Sequence, residues 1–248
     1  MKAEGMILAV TAAETAECRG LGIPLGRMSY RVSPEGVLLR AAALSGEVRG
    51  GVMIVMGRIP EGDAARLSAA ILAECAAREY AGVYLDGEAA GGTAALAAAL
   101  EAPLQAAGRR LYTPPGAGAG IPVLESAVTG GSYRLYLEEA RARHPEGIAL
   151  ALLPMAVSFV LPAWDEGQPL SREELAAELA SGGLQYYSKE LCARYQTSRG
   201  TDGLTRFLLY DDADTLREKC RVAEAAGVEA IFLPYALLRT ELPDILEI

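Results

Sequence analysis

The feature that most constrains this chain is an alternation. Short apolar runs are separated by longer stretches of helical character for most of the length. The runs 6–11, 51–56, 82–86, 110–113, 123–127, 148–153 and 230–234 read as strands, and 63–79, 93–107, 132–143, 171–180 and 215–226 read as helices. Strands alternating with helices are parallel strands joined by crossover helices. A chain of 248 residues matches the size of one eight-stranded barrel of this kind. The expected fold class is therefore α/β, a (β/α)8 TIM-type barrel spanning 1–248 as a single domain. One irregular N-terminal unit is expected over 12–50, where 28–32 and 37–41 flank Ser33-Pro34-Glu35-Gly36 and read as a β-hairpin.

Helix boundaries carry their own signals. Ser171 with Glu174 predicts a capping box, Ser132 and Thr93 are candidate N-caps, and Gly227 stands where a left-handed residue ends a helix. The alanine-rich stretches 64–77 and 89–107 read as helices packed closely on a sheet. The tract 114–120, rich in Pro and Gly, reads as a loop after a strand; no Lys-Ser/Thr pair follows it, as a phosphate cradle would need.

With 51% hydrophobic and 22% charged residues, the chain has enough apolar material for a core. Its formal net charge of −9 argues against nucleic acid and against an anionic membrane surface as partners. No stretch approaches membrane-spanning length, and the start lacks a secretory pattern, so the chain reads as cytoplasmic unless a leader has been removed. Cys18, Cys75, Cys192 and Cys220 are widely spaced, and His144 is the single histidine, so free thiols are expected and neither metal nor cofactor is implied. His144 precedes Pro145 at a helix end, where a cation favours the dipole. The run 194–206 reads as a solvated polar loop.

The segment Tyr80-Ala81-Gly82-Val83-Tyr84-Leu85-Asp86-Gly87-Glu88 carries the candidate chemistry. Alternate residues of a strand share a face, so Gly82, Tyr84, Asp86 and Glu88 point one way. Two carboxylates then stand at the C-terminal tip of a barrel strand, the end where barrel enzymes keep their catalytic groups. Interaction between the two, together with burial, raises the pKa of one of them, as a general acid for glycoside cleavage requires. Two acids solvating the exit into a glycine-rich turn would look the same.

Tyr80–Glu88 resembles, in register, the Asp-Gly-x-Asp-x-Asp-x-Glu pattern on the fourth strand of glycoside hydrolase family 18 (chitinase-like) barrels. Gly82, Asp86 and Glu88 match; Ala81 and Tyr84 replace the first two acids. Two further stretches resemble the family: Phe207–Asp212 leading into a helix with Lys219, then Gly227 and a last strand, and Ile148–Pro154 as a seventh strand ending in Pro. The family's Tyr and Asp on the sixth strand are missing from 123–127, and Pro234 stands for the Trp of the last strand. The resemblance implies substrate-assisted hydrolysis of N-acetylglucosamine-containing glycans, with Glu88 as general acid and Asp86 orienting the acetamido group. Tyr84, Glu125, Tyr112 and Tyr235 are the candidate substrate-binding residues, and Glu125 is the candidate substitute for the missing acid beside Asp86. Two readings stand together, a weak hydrolase and a non-catalytic barrel that binds a glycan or another small ligand. A third, a divalent-cation enzyme using the rim acids Glu125, Asp86 and Glu88, lacks a motif. The oligomeric state is left open.

Overall fold

The computed structural model describes residues 5–41, 49–162, 167–180, 182–199 and 203–246; Trp164 lies outside them. From the N-terminus run β1 (Met6–Val10), α1 (Thr15–Cys18), β2 (Leu25–Val32), β3 (Leu38–Arg40), β4 (Val52–Met56), α2 (Ala64–Ala77), β5 (Gly82–Asp86) and α3 (Thr93–Ala106). There follow β6 (Arg110–Thr113), β7 (Ile121–Glu125), α4 (Tyr133–Arg143), β8 (Ala149–Ala151), β9 (Ala156–Leu161), β10 (Gln168–Pro169) and α5 (Arg172–Ala180). The last elements are β11 (Leu184–Ser188), β12 (Ala193–Arg199), β13 (Thr205–Tyr210), α6 (Ala213–Ala225), β14 (Ala230–Pro234), α7 (Tyr235–Leu238) and α8 (Leu242–Leu246). The chain divides into two compact units, one of Met1–Leu124, Arg141–Ala151 and Gly227–Ala236, the other of Glu125–Ala140, Leu152–Ala226 and Leu237–Ile248.

In the first unit eight parallel strands close on themselves in the order β1, β2, β4, β5, β6, β7, β8, β14, with β14 back against β1. The period of two along each strand builds two cores. Ile7, Val52, Ile54, Val123 and Phe232 fill the inside of the barrel. Met53, Val55, Val83 and Leu85 face outward onto Ile71 of α2 and Leu96 and Leu100 of α3. Each of these buried apolar side chains contributes about 1.5–3 kcal/mol. Strands covered on both faces are why the sequence shows continuous apolar runs instead of alternation.

The hairpin predicted over 28–41 forms, with β2 antiparallel to β3. Its first arm is also a barrel strand, however: β2 begins at Leu25 and pairs in parallel with β1 and β4. No strand is lost from the N-terminal unit. Among the described residues of this unit the helical structure is α1 and a single 3₁₀ turn at Arg19–Leu21. Gly26 interrupts the apolar run that would have announced the strand, and a Cβ there would stand 2.8 Å from Ile54 Cδ1 inside the barrel.

The capping box of Ser171 and Glu174 closes at 2.8 and 3.2 Å, and Ser132 Oγ accepts from the Leu135 N–H at 3.5 Å. Thr93 is not a cap. Gly92 holds that position, and the Thr93 hydroxyl lies 3.0 Å from the backbone oxygen of Glu88 and 2.9 Å from that of Ala90. Helix α6 starts two residues before the predicted 215, because Asp212 and Thr215 cap each other reciprocally at 2.9 Å. All four cysteines are free and buried.

The second unit holds what the sequence did not announce, a five-stranded antiparallel sheet in the order β10, β9, β13, β12, β11. The run 194–206, expected to be a solvated loop, supplies most of β12 and the start of β13, outside the undescribed 200–202. Its strands carry Arg, Gln, Thr and Ser among the apolar residues, so hydropathy alone hides them. Cross-strand rings hold the sheet instead. Tyr186 lies 5.2 Å from Tyr195, Tyr195 5.3 Å from Phe207, and Phe207 6.2 Å from Phe159. In the same unit Lys219 Nζ meets Asp211 Oδ2 at 2.7 Å, both side chains fully buried.

Candidate active site at the fourth barrel strand

Strand β5 is the fourth around the barrel. Its first residue must be glycine for a local reason: a Cβ on Gly82 would stand 2.7 Å from the Arg110 carbonyl oxygen on neighbouring β6. Tyr84 and Asp86 follow on the same face. The Tyr84 ring packs on Phe232 of β14 at 4.7 Å, and Phe232 meets Tyr112 of β6 edge-on at 5.1 Å. These three rings occupy the inside of the barrel next to Ala9, Val123 and Ala151. Tyr112 and Phe232 are buried, whereas Tyr84 is half-buried.

Asp86 is the last residue of the strand and is half-buried above this cluster. Burial pushes its carboxyl above the ordinary carboxylate range, and a hydrogen bond from the Tyr84 hydroxyl pulls against that push. Tyr84 stands where the family pattern has an acid, and the sequence suggests that tuning of Asp86 must come from elsewhere. In the structure the Tyr84 hydroxyl is itself a neutral donor to Asp86.

Glu88 lies beyond the strand end, exposed. The loop that carries it is pinned through its backbone. The Gly57 N–H donates to the Asp86 oxygen at 3.2 Å, the Gly92 N–H to the Ile59 oxygen at 3.0 Å, and Thr93 holds the Glu88 carbonyl. An open groove of 680 Å³ lined by Arg58, Ile59, Pro60, Glu61 and Gly91 flanks the same loop.

The other predicted residues are placed as follows. Tyr112 is joined to Tyr84 through Phe232. Tyr235 is buried at the start of α7. Glu125 ends β7 and is exposed. Ser126, in the stretch where the family keeps a Tyr and an Asp, is fully buried, and its hydroxyl is committed to the Leu153 backbone at 3.0 and 2.9 Å. Phe232 was missed by sequence reasoning; the available signal was its place two residues from Pro234, on the same face of the last strand. Among the described residues no group of three or more His, Cys, Asp and Glu side chains gathers to hold a metal ion.

One expected result follows directly. Tyr84→Phe removes the donor that opposes burial, so the Asp86 carboxyl should titrate at higher pH than in the parent, as read by carboxyl-carbon NMR. An unchanged titration would remove Tyr84 from this role. Because the folded carboxyl keeps its proton above the unfolded value, the stability that Asp86 contributes is complete below the unfolded pKa and lost as pH rises through the folded one. The loss should be larger in Tyr84→Phe.

Comparison with solved structures now identifies the architecture. The spore cortex-lytic enzyme SleL of Bacillus cereus superposes with a TM-score of 0.66 at 12% identity, over 98% of this chain and 74% of that one. A chitinase from Chromobacterium violaceum gives 0.64 at 16% identity, over 96% and 99% of the two chains. The GH18 chitinase of Cycas revoluta, in complex with allosamidin, gives 0.61 at 12% identity, over 98% and 97%. This is the chitinase-like barrel fold. No protein-family model matches the chain, and no curated protein matches it. No helix among the described residues is long and apolar enough to cross a membrane.

Proposed function

We propose that this chain is a glycan-binding barrel of chitinase-like fold whose hydrolytic activity is lost or nearly so, its ligand an N-acetylglucosamine-containing chain. The observation that carries the reading is the pairing at the strand tip. Asp86 is kept half-buried and hydrogen-bonded by a neutral Tyr84 whose ring is fixed on Phe232. A carboxylate held this way accepts the N–H of an acetamido group and orients it. It has no neighbouring acid on the strand with which to share a proton.

Substrate-assisted cleavage also needs the acetamido oxygen held in line with the anomeric carbon, and alignment of that kind supplies a large part of an enzyme's rate advantage. The groups that would hold it are replaced or occupied: Ser126 is tied to Leu153, and Pro234 stands on the last strand. Glu88 is retained as the acid, but exposed. The ligand class is supported by neighbours of the same fold, since the Cycas revoluta chitinase was solved with (GlcNAc)3 and SleL is a cortex-lytic enzyme.

The test is an end-point assay on chitooligosaccharides together with calorimetric binding, for the parent and for Glu88→Gln. The expected outcome is binding in both and turnover in neither. A placed general acid contributes about 10²–10⁴ in rate, so robust turnover that falls by this factor in Glu88→Gln would sink the proposal and make Glu88 the acid of a working hydrolase. Glu88→Gln should leave stability within about 0.5 kcal/mol, because an exposed side chain contributes little packing.

A further inference from the structure

We infer that strand β11 is a pairing edge for a second copy of this chain, joining two five-stranded sheets into one through antiparallel Leu184–Ser188 strands. The first ground is that, among the described residues, the other strand edges are closed or blunted. The barrel returns on itself through β14 and β1. The sheet edge β10 has two residues and ends in Pro169, and β3 has three and ends in Arg40. Short edges, proline and charge are the usual protections against edge-to-edge pairing. Strand β11 has five residues, no proline and no charge, and among the described residues it pairs with β12 alone.

The second ground is exposure. Leu184 is 69% exposed, Tyr186 42% and Tyr187 41%, so apolar side chains on both faces of this edge strand stand in solvent. In a strand successive side chains alternate faces, which puts Leu184 and Tyr186 on one side and Tyr187 on the other.

The occupant follows from self-complementarity. About a two-fold axis at Tyr186, the copies place Tyr186 against Tyr186, Leu184 against Ser188, and Gln185 against Tyr187. No like charges meet along the seam. The ring row Phe159, Phe207, Tyr195, Tyr186 then continues directly into the same row of the second copy. The bodies being joined each carry a formal charge of −9, so they repel at long range although the seam itself is neutral. Salt should therefore tighten this association, since the screening length falls from about 10 Å at 0.1 M to about 3 Å at 1 M. An interface built on ion pairs would weaken instead.

Sedimentation velocity on the full chain, over a concentration series at 0.1 and 1 M salt, tests this. The expected result is a monomer–dimer equilibrium that shifts toward dimer with salt, with amide exchange at 184–188 slowing as protein concentration rises. Tyr186→Lys places two cations on the axis and should abolish the dimer. Leu184→Lys should weaken it without touching the Tyr186–Tyr195 stack, which covers the case in which the first variant disturbs the hairpin. Val160→Lys, on exposed β9, should change nothing. A chain monomeric throughout, a dimer indifferent to both β11 variants, or protection at 184–188 that appears only with an added extended peptide would each overturn the inference.

Discussion

Lys219→Met should destabilise the protein by about 3–5 kcal/mol, a large share of a typical folding free energy of about 5–15 kcal/mol. Lys219 and Asp211 are both fully buried at 2.7 Å, and the Asp211 carboxylate also accepts the Met155 N–H and the Thr215 hydroxyl, each at 3.0 Å. The Lys219 ammonium lies 5.8 Å from the centre of the Tyr133 ring. Removing the lysine leaves a carboxylate without its counter-ion and shielded from bulk solvent. Burial already pushes Asp211 above the ordinary carboxylate range, and Lys219 is the chief opposing influence. In the variant the carboxyl should therefore rise further. The loss should shrink as pH falls, because a protonated Asp211 is cheaper to bury. Urea unfolding at neutral and mildly acidic pH measures both effects. The double change Lys219→Met with Asp211→Leu should recover most of the loss, since no unpaired charge remains. A single-variant loss below about 1 kcal/mol would mean that water reaches the pair.

Phe232→Ala should cost about 3–5 kcal/mol and also empty the candidate site of its support. The side chain is 1% exposed and is the shared partner of Tyr84 and Tyr112. Its loss leaves a cavity between two tyrosines and frees Tyr84, whose hydroxyl then no longer holds Asp86 in one place. The expected readout is a lower unfolding midpoint together with loss of glycan binding. Phe232→Leu separates the two effects: it keeps most of the apolar volume and so most of the stability, while the ring contacts disappear. Binding that survives Phe232→Leu unchanged would show that the aromatic cluster supports the barrel and not the ligand.

The barrel was legible where strands are buried on both faces. The runs at 52–56, 82–86 and 230–234 announce themselves because inner and outer residues are both apolar, as in Ile54 and Met53 of β4. Strand β2 was read only as a hairpin arm, because Gly26 and Arg27 break its apolar run and its parallel partners lie far away in sequence. The antiparallel sheet was hidden for a related reason. Tyr195, Gln196 and Thr197 make a strand only once Tyr186 and Phe207 are brought beside them.

The residue types and their spacing were set by the sequence: Gly82, Tyr84, Asp86 and Glu88 at alternate positions of the candidate strand and, separately in the second unit, Asp211 with Lys219 eight residues on. Periodicity and local chemistry act over a few residues, so they fix which side chains share a face and where a helix is capped. The tertiary structure decided the rest. It set Tyr84 between Phe232 and Asp86, tied Ser126 to Leu153, left Glu88 exposed on a pinned loop, and buried the Asp211–Lys219 pair. Each of these depends on which distant strand or loop arrives beside a residue. Desolvation and hydrogen-bond partners, which set what a carboxylate can do, exist only once that has happened.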